Sequence, residues 1–183
     1  MQSLATSLDG VLLIEPAVYR DERGFFLESW NRREFAAATG MTAEFVQDNV
    51  SGSRSGVVRG LHYQLPPHPQ GKLVRASVGT VFDVAVDLRR SSSTFGQWFG
   101  VELSAMNQRQ LWIPPGFGHG FLTTSDWAEV NYKTTDYYSR SSERVVRWDD
   151  PDIAIEWPLE GRPALLSEKD AAASGLRDAE VFT

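Results

Sequence analysis

Cysteine is absent from the 183 residues. Disulfides, thiolate metal sites and a cysteine nucleophile are therefore excluded. Basic runs are absent too: no stretch of Lys or Arg exceeds two residues, and the formal net charge is −6. A nucleic-acid surface carries a clustered basic footprint, so no nucleic-acid partner is expected. No stretch reaches the ~18 apolar residues of a membrane span. The opening MQSLATSLDGVLLIEP lacks the basic start and long apolar core of a secretory signal. The expectation is a cytoplasmic protein with no membrane partner. Histidine is scarce, with only His62, His68 and His119. A three-histidine metal site would need all of them.

The length suits one domain spanning residues 1–183. Six Trp, ten Phe and five Tyr supply bulk for one sizeable core and flat rings that can stack on a base or sugar. Most of the chain reads as short strands rich in Val, Ile, Phe, Trp and Thr: GVLLIEPAVYR, GFFLESW, AEFVQDNV, GVVRGLHYQL, KLVRASVG, TVFDVAVDL, WFGVELS, RQLWIPP, HGFLTTS and EVNYKTTDYY. Gly, Pro, Asn and Ser punctuate them at turn-like intervals, which points to a sandwich or barrel. Two helices are expected. One spans residues 31–40, with Asn31 as cap and Gly40 as stop; the other starts near Ser167 with a Ser-x-x-Asp signature and runs through 171–173.

Strand alternation sorts the polar candidates by face. Val58, Gly60, His62 and Gln64 share one face of GVVRGLHYQL. A His and a Gln turned into a barrel must be hydrogen-bonded or functional, and a satisfied core histidine is the ordinary reading. Lys72 shares a face with Val74, Ala76 and Val78, and Asp83 shares one with Val81 and Ala85. The two could form a buried ion pair, or Lys72 could occupy the strand's wet end. Tyr132 and Tyr138 fall together with Val130, Thr134 and Asp136, as packing residues or as a proton donor and its neighbour. Phe45, Gln47 and Asn49 set two amides beside an aromatic, suited to an imide edge or to an exposed strand face. Pro114-Pro115-Gly116-Phe117-Gly118-His119 fits the P-x-G-x-x-H pattern of cupin barrels. The H-x-H pair that accompanies it in metal-binding cupins is missing, because Tyr63 and Gln64 follow His62. No metal and no other cofactor is expected.

Eight ordered motifs together carry a resemblance: Arg23-Gly24-Phe25-Phe26-x-Glu28, Phe45-Val46-Gln47-Asp48-Asn49, Arg59-Gly60-Leu61-His62-Tyr63-Gln64, Gln70-Gly71-Lys72-Leu73-Val74-Arg75, 81–87, 113–121, Tyr132-Lys133-x-Thr135-Asp136-Tyr137-Tyr138 and Leu166-Ser167-x-Lys169-Asp170. Over roughly residues 10–171 the chain resembles the dTDP-4-dehydrorhamnose 3,5-epimerases. The resemblance implies a mainly β fold, a metal-free cupin jelly roll of antiparallel strands with a few short helices. It also implies a homodimer acting on a dTDP-linked 4-keto-6-deoxyhexose. His62 is implied as the base, Asp170 as its orienting carboxylate, Lys72 as the enolate stabiliser and Tyr132 as the acid on the opposite face. Arg23, Arg59 and Lys169 are implied at the diphosphate, and His119 near sugar or phosphate. Glu28, Gln47 and Asn49 are implied at polar groups of sugar or thymine, Tyr138 stacked on thymine and Glu143 nearby. Asp170 could equally serve only to cap the helix begun by Ser167.

Alternation also sets Arg59 and His62 on opposite faces, so both reach one ligand only if Gly60 allows a bulge or the strand ends there. Three other readings compete. One is a mono-epimerase that inverts only carbon 3 or carbon 5, and another is a metal-dependent cupin. The third is a sugar-nucleotide binding module without catalysis, for which a base and acid pair would be superfluous.

Overall fold

The computed structural model describes residues 1–183. In chain order the strands are β1 (Gln2–Ala5), β2 (Leu12–Glu15), β3 (Val18–Asp21), β4 (Gly24–Leu27), β5 (Gln47–Arg54), β6 (Val58–Gln64), β7 (Lys72–Val78), β8 (Thr80–Asp87), β9 (Trp98–Ser104), β10 (Gln110–Ile113), β11 (Phe117–Thr123), β12 (Trp127–Thr134) and β13 (Glu143–Val145); the helices are α1 (Arg32–Thr39) and α2 (Glu168–Ala171). One sheet runs β1-β2-β10-β7-β12-β5 and the other β13-β6-β11-β8-β9, while β3 and β4 pair only with each other. The pairing within all three is antiparallel. No helix is long and apolar enough to cross a membrane.

The two large sheets face each other because alternate residues of their strands are apolar. Val74, Ala76, Leu111, Ile113 and Val130 of the first sheet meet Val81, Ala85, Leu103, Phe117 and Phe121 of the second in one buried cluster. Each Val, Leu, Ile or Phe among them contributes roughly 1.5–3 kcal/mol by leaving water. The outer face of the five-stranded sheet is covered by the C-terminal chain, where Leu61, Tyr63 and Val84 pack on Val146, Ile153, Leu176 and Val181. Helix α1 covers an outer corner of the six-stranded sheet, burying Phe35 against Ile14, Leu73 and Trp112. Asn31 caps it by accepting from the backbone of Arg33 and Glu34, and Gly40 ends it at φ 72° with its N–H on Ala36 O. Facing antiparallel sheets in this strand order make a jelly roll, mainly β with two short helices, as expected.

Several boundaries differ from the sequence expectation. GVLLIEPAVYR is two strands, β2 and β3, broken at Pro16, which has no N–H for the ladder. Phe45 precedes β5 and packs with the cluster under α1 instead of continuing a strand face. β12 ends at Thr134, so Tyr138 sits beyond it in a turn and strand alternation does not apply to that residue. The second helix is a single turn, and β1 and β13 form from QSLA and ERV, which carry no strong β pattern.

Candidate active site

A cavity of about 340 Å³ opens at one end of the space between the sheets. The six-stranded sheet contributes Gln47, Asn49 and Ser51 from β5, Lys72 from β7 and Tyr132 from β12. The five-stranded sheet contributes Arg59, His62 and Gln64 from β6, His119 and Phe121 from β11, and Glu143 from β13. Tyr138, Ser167 and Asp170 close the rim.

Arg59 and His62 reach the same cavity because β6 carries one extra residue. His62 pairs with His119, yet Arg59 pairs with Phe121, so three steps along β6 answer two along β11. Gly60 makes this possible. Its φ is 123°, and a Cβ there would lie 2.5 Å from Gly120 Cα and 2.7 Å from His119 O. The bulge resets the alternation and turns both side chains inward. Arg59 is then braced by Ser53 Oγ at 3.0 Å and Gly52 O at 3.2 Å.

His62 Nε2 lies 2.8 Å from Asp170 Oδ1. The ring N–H is off the line to that oxygen, so the contact satisfies distance but not hydrogen-bond alignment. Such pairs commonly tighten only when substrate binds. His62 Nδ1 lies 3.7 Å from Glu143 Oε1. Asp170 divides its two duties between its oxygens: Oδ2 accepts from Ser167 Oγ at 2.7 Å, while Ser167 Oγ accepts from the Asp170 N–H at 3.1 Å and caps α2. Burial pushes the Asp170 carboxyl up, but the close His62 ring and the hydrogen bond from Ser167 outweigh it and hold the group below the usual carboxylate range.

Lys72 is buried, which rules out the wet-end reading, and its Nζ donates to His62 O at 3.2 Å. Burial brings its ammonium down to about 8, with the charges of Asp83 and Glu143 opposing the fall. The envisaged Lys72–Asp83 ion pair is not made. Asp83 pairs with His119 Nε2 at 2.9 Å. The register explains this: Asp83 is opposite Phe121 on β11, so His119, two residues away on the same face, is its diagonal neighbour, whereas Lys72 belongs to the other sheet. Tyr132 is half-buried, and burial pushes its phenol up, so it holds its proton at neutral pH.

Tyr138 keeps its ring exposed. Its N–H donates to Gln47 Oε1 at 3.1 Å and its hydroxyl to Glu143 Oε2 at 2.9 Å. Gln47 in turn donates to Asn49 Oδ1 at 2.8 Å. Lys169 pairs with Glu143 at the rim. Burial raises the Glu143 carboxyl, but Lys169 and Tyr138 hold it down. His68 lies apart on the surface with Asp136, at 3.2 Å. Lys169 does not itself line the cavity, and two further residues implied by the resemblance lie away from it. Arg23 is on the β3–β4 hairpin paired with Asp21, and exposed Glu28 accepts from Asn31 Nδ2 at 3.2 Å. Ser51 was missed by sequence reasoning; its hydroxyl is buried without a partner. The i, i+2, i+4 pattern from Gln47 and Asn49 already pointed to it. No group of three His, Cys, Asp or Glu gathers as it would around a metal ion.

The profile of the dTDP-4-dehydrorhamnose 3,5-epimerase family matches residues 5–178. The chain belongs to that family. It is an isomerase, an epimerase of the 3,5 type. The dTDP-4-dehydrorhamnose 3,5-epimerase of Shigella flexneri is 56% identical over 182 residues, covering 100% of this chain and 99% of that protein. The crystal structure of dTDP-6-deoxy-D-glucose-3,5-epimerase from Legionella pneumophila, in complex with dTDP-4-keto-L-rhamnose, superposes with a TM-score of 0.94 at 51% identity, covering 98% of this chain and 94% of that one. A 3′-monoepimerase from Streptomyces bikiniensis shares the fold at a TM-score of 0.88 but only 34% identity, covering 97% of this chain and 88% of that one. The fold alone therefore does not set how many centres are inverted.

Proposed function

We propose that this epimerase acts on dTDP-4-dehydro-6-deoxy-D-glucose and inverts carbons 3 and 5 to give dTDP-4-dehydro-L-rhamnose. The observation that carries the reading is the origin of His62 and Tyr132 on opposite sheets, both facing one cavity that also holds Lys72. Inversion beside a ketone needs a proton removed from one face of the carbon and returned from the other. His62, held by Asp170, takes the proton; the electrons of the C–H bond move onto the ketone oxygen, where the Lys72 ammonium stabilises the enolate. Tyr132 then donates its phenolic proton to the opposite face and is reprotonated from solvent, while His62 gives up the abstracted proton to solvent. Arg59 and Lys169 meet the diphosphate, His119 the sugar–phosphate region, Gln47 and Asn49 the polar edges of sugar or thymine, and Tyr138 stacks on thymine. Glu143 stands between the base and the nucleotide. The cycle consumes no cofactor and needs no metal.

A homodimer fits this reading. The β3–β4 hairpin pairs with no other strand and exposes Tyr19, Phe25 and Phe26 at 67, 54 and 66%. A free monomer seldom presents such an aromatic cluster without a use for it. Arg23 on this hairpin, and Glu28 just beyond it, are implied in substrate binding yet are outside their own cavity. A second copy receiving the hairpin would give both a ligand to meet. The same reading takes residues 1–183 as one domain at work in the cytoplasm.

Incubation with the 4-keto sugar nucleotide in deuterated water tests the assignment. Deuterium should appear at both carbon 3 and carbon 5, with the L-configured ketone as product. Label at one position only would reduce the enzyme to a mono-epimerase; label at neither would end the reading. Sedimentation should give twice the chain mass, and a monomeric, fully active species would remove the dimer.

A further inference from the structure

Gln64 is buried at 3% exposure, beside the cavity and two residues beyond His62 on the same face of β6. Its amide uses both donors and its acceptor on the backbone of two loops. Nε2 donates to His68 O at 2.7 Å and to Tyr137 O at 3.1 Å, and Oε1 accepts from the Ser139 N–H at 2.8 Å. The last two contacts bracket Tyr138. No other side chain holds the turn from both sides of that residue. The two polar contacts of Tyr138 itself, to Gln47 and Glu143, leave the residue 56% exposed. The turn lies past the end of β12 and has no ladder to fix it.

We propose that Gln64 is a positioning residue for the nucleobase: it clamps the 137–139 turn so that the Tyr138 ring is preorganised as a stacking platform at a fixed reach from His62. The inference rests on the role given above to Tyr138. A loop ordered before binding spares the ligand the cost of ordering it, so the clamp acts on affinity. Because base and clamp occupy one face of one rigid strand, the span from reacting carbon to nucleobase is set within β6. The alternative is a buried amide that merely satisfies loop backbone, which would affect stability and leave nucleotide affinity alone.

Gln64→Met keeps the volume and removes all three bonds. It should raise the Michaelis constant for the nucleotide sugar and the dissociation constant of thymidine diphosphate about tenfold, the scale of one base–aromatic stack. Turnover should fall much less. Tyr138→Ala should raise both constants by a similar factor, and the double variant should be no worse than either single one, since Gln64 acts through Tyr138. Multiplying effects in the double variant, or a Gln64→Met protein that melts earlier with unchanged thymidine diphosphate affinity, would overturn the proposal. If Tyr138→Ala leaves thymidine diphosphate affinity intact, the stacking role itself fails and the clamp with it. Hydrogen exchange on the unaltered protein gives a check that no folding defect can obscure. The Ser139 amide should be protected without ligand, and free exchange there would end the proposal.

Discussion

His62→Ala should neither epimerise the 4-keto sugar nucleotide nor exchange its hydrogens with solvent, a loss on the scale of 10²–10⁴ for a positioned acid–base group. Tyr132→Phe should fail differently. The phenylalanine keeps the ring and its contacts with the barrel core, so His62, Asp170 and Lys72 keep their places. The enolate still forms, but no proton is delivered from the six-stranded sheet's side. Recapture then occurs mainly from the face the proton left. Deuterium should therefore still enter at carbon 3 or carbon 5 while inversion falls by a similar 10²–10⁴. Proton NMR of the recovered sugar nucleotide reads exchange and configuration together. Equal loss of both in Tyr132→Phe would show that the tyrosine stabilises the enolate instead of supplying the opposite-face proton.

Lys72→Met should lower turnover by about 10²–10³, the usual cost of removing one preorganised group from a developing oxyanion. Its effect on stability should run the other way from most active-site losses. Burial holds the Lys72 ammonium at about 8, below its ordinary 10.5. Between those values the unfolded chain binds this proton more readily than the folded one, so from this group stability rises as pH climbs through that window. Below it, the folded protein carries a charge that burial disfavours. Methionine removes that cost, and at neutral pH the variant should melt within a few degrees of the parent or above it. The same titration predicts that parent turnover declines as pH rises through about 8, when the lysine loses the charge that faces the enolate. A pH profile flat to pH 10, or a Lys72→Met enzyme with undiminished turnover, would remove Lys72 from the mechanism.

The jelly roll was legible because its strands repeat every second residue: Val74 and Ala76, or Val81 and Ala85, announce their inward faces without help. His62, Lys72 and Tyr132 could be assigned to cavity walls for the same reason. The rest depends on contacts between segments distant in sequence. Which partner Asp83 takes was decided by its diagonal neighbour on β11, a relation that exists only once register is set. The bulge was visible only as a contradiction between Arg59 and His62, since the pattern shows that alternation must break but the collision at Gly120 shows where. Pro16 turns β3 away from the sheet, and with it Arg23 leaves its own cavity, a displacement that no local periodicity encodes.

The extra residue in β6 has a consequence for how this barrel can be altered. In an uninterrupted strand, a gripping residue and a reacting residue on one wall must stand an even number of positions apart. The insertion lets an odd spacing serve, so anion grip and proton removal stand a single short step apart on one ribbon. Shortening β6 by one residue at Gly60 would leave every side chain present in the protein. It would also set Arg59 and His62 two positions apart, so regular alternation would keep both within the cavity. The result would be a strand of ordinary register that keeps both its proton chemistry and its hold on the nucleotide.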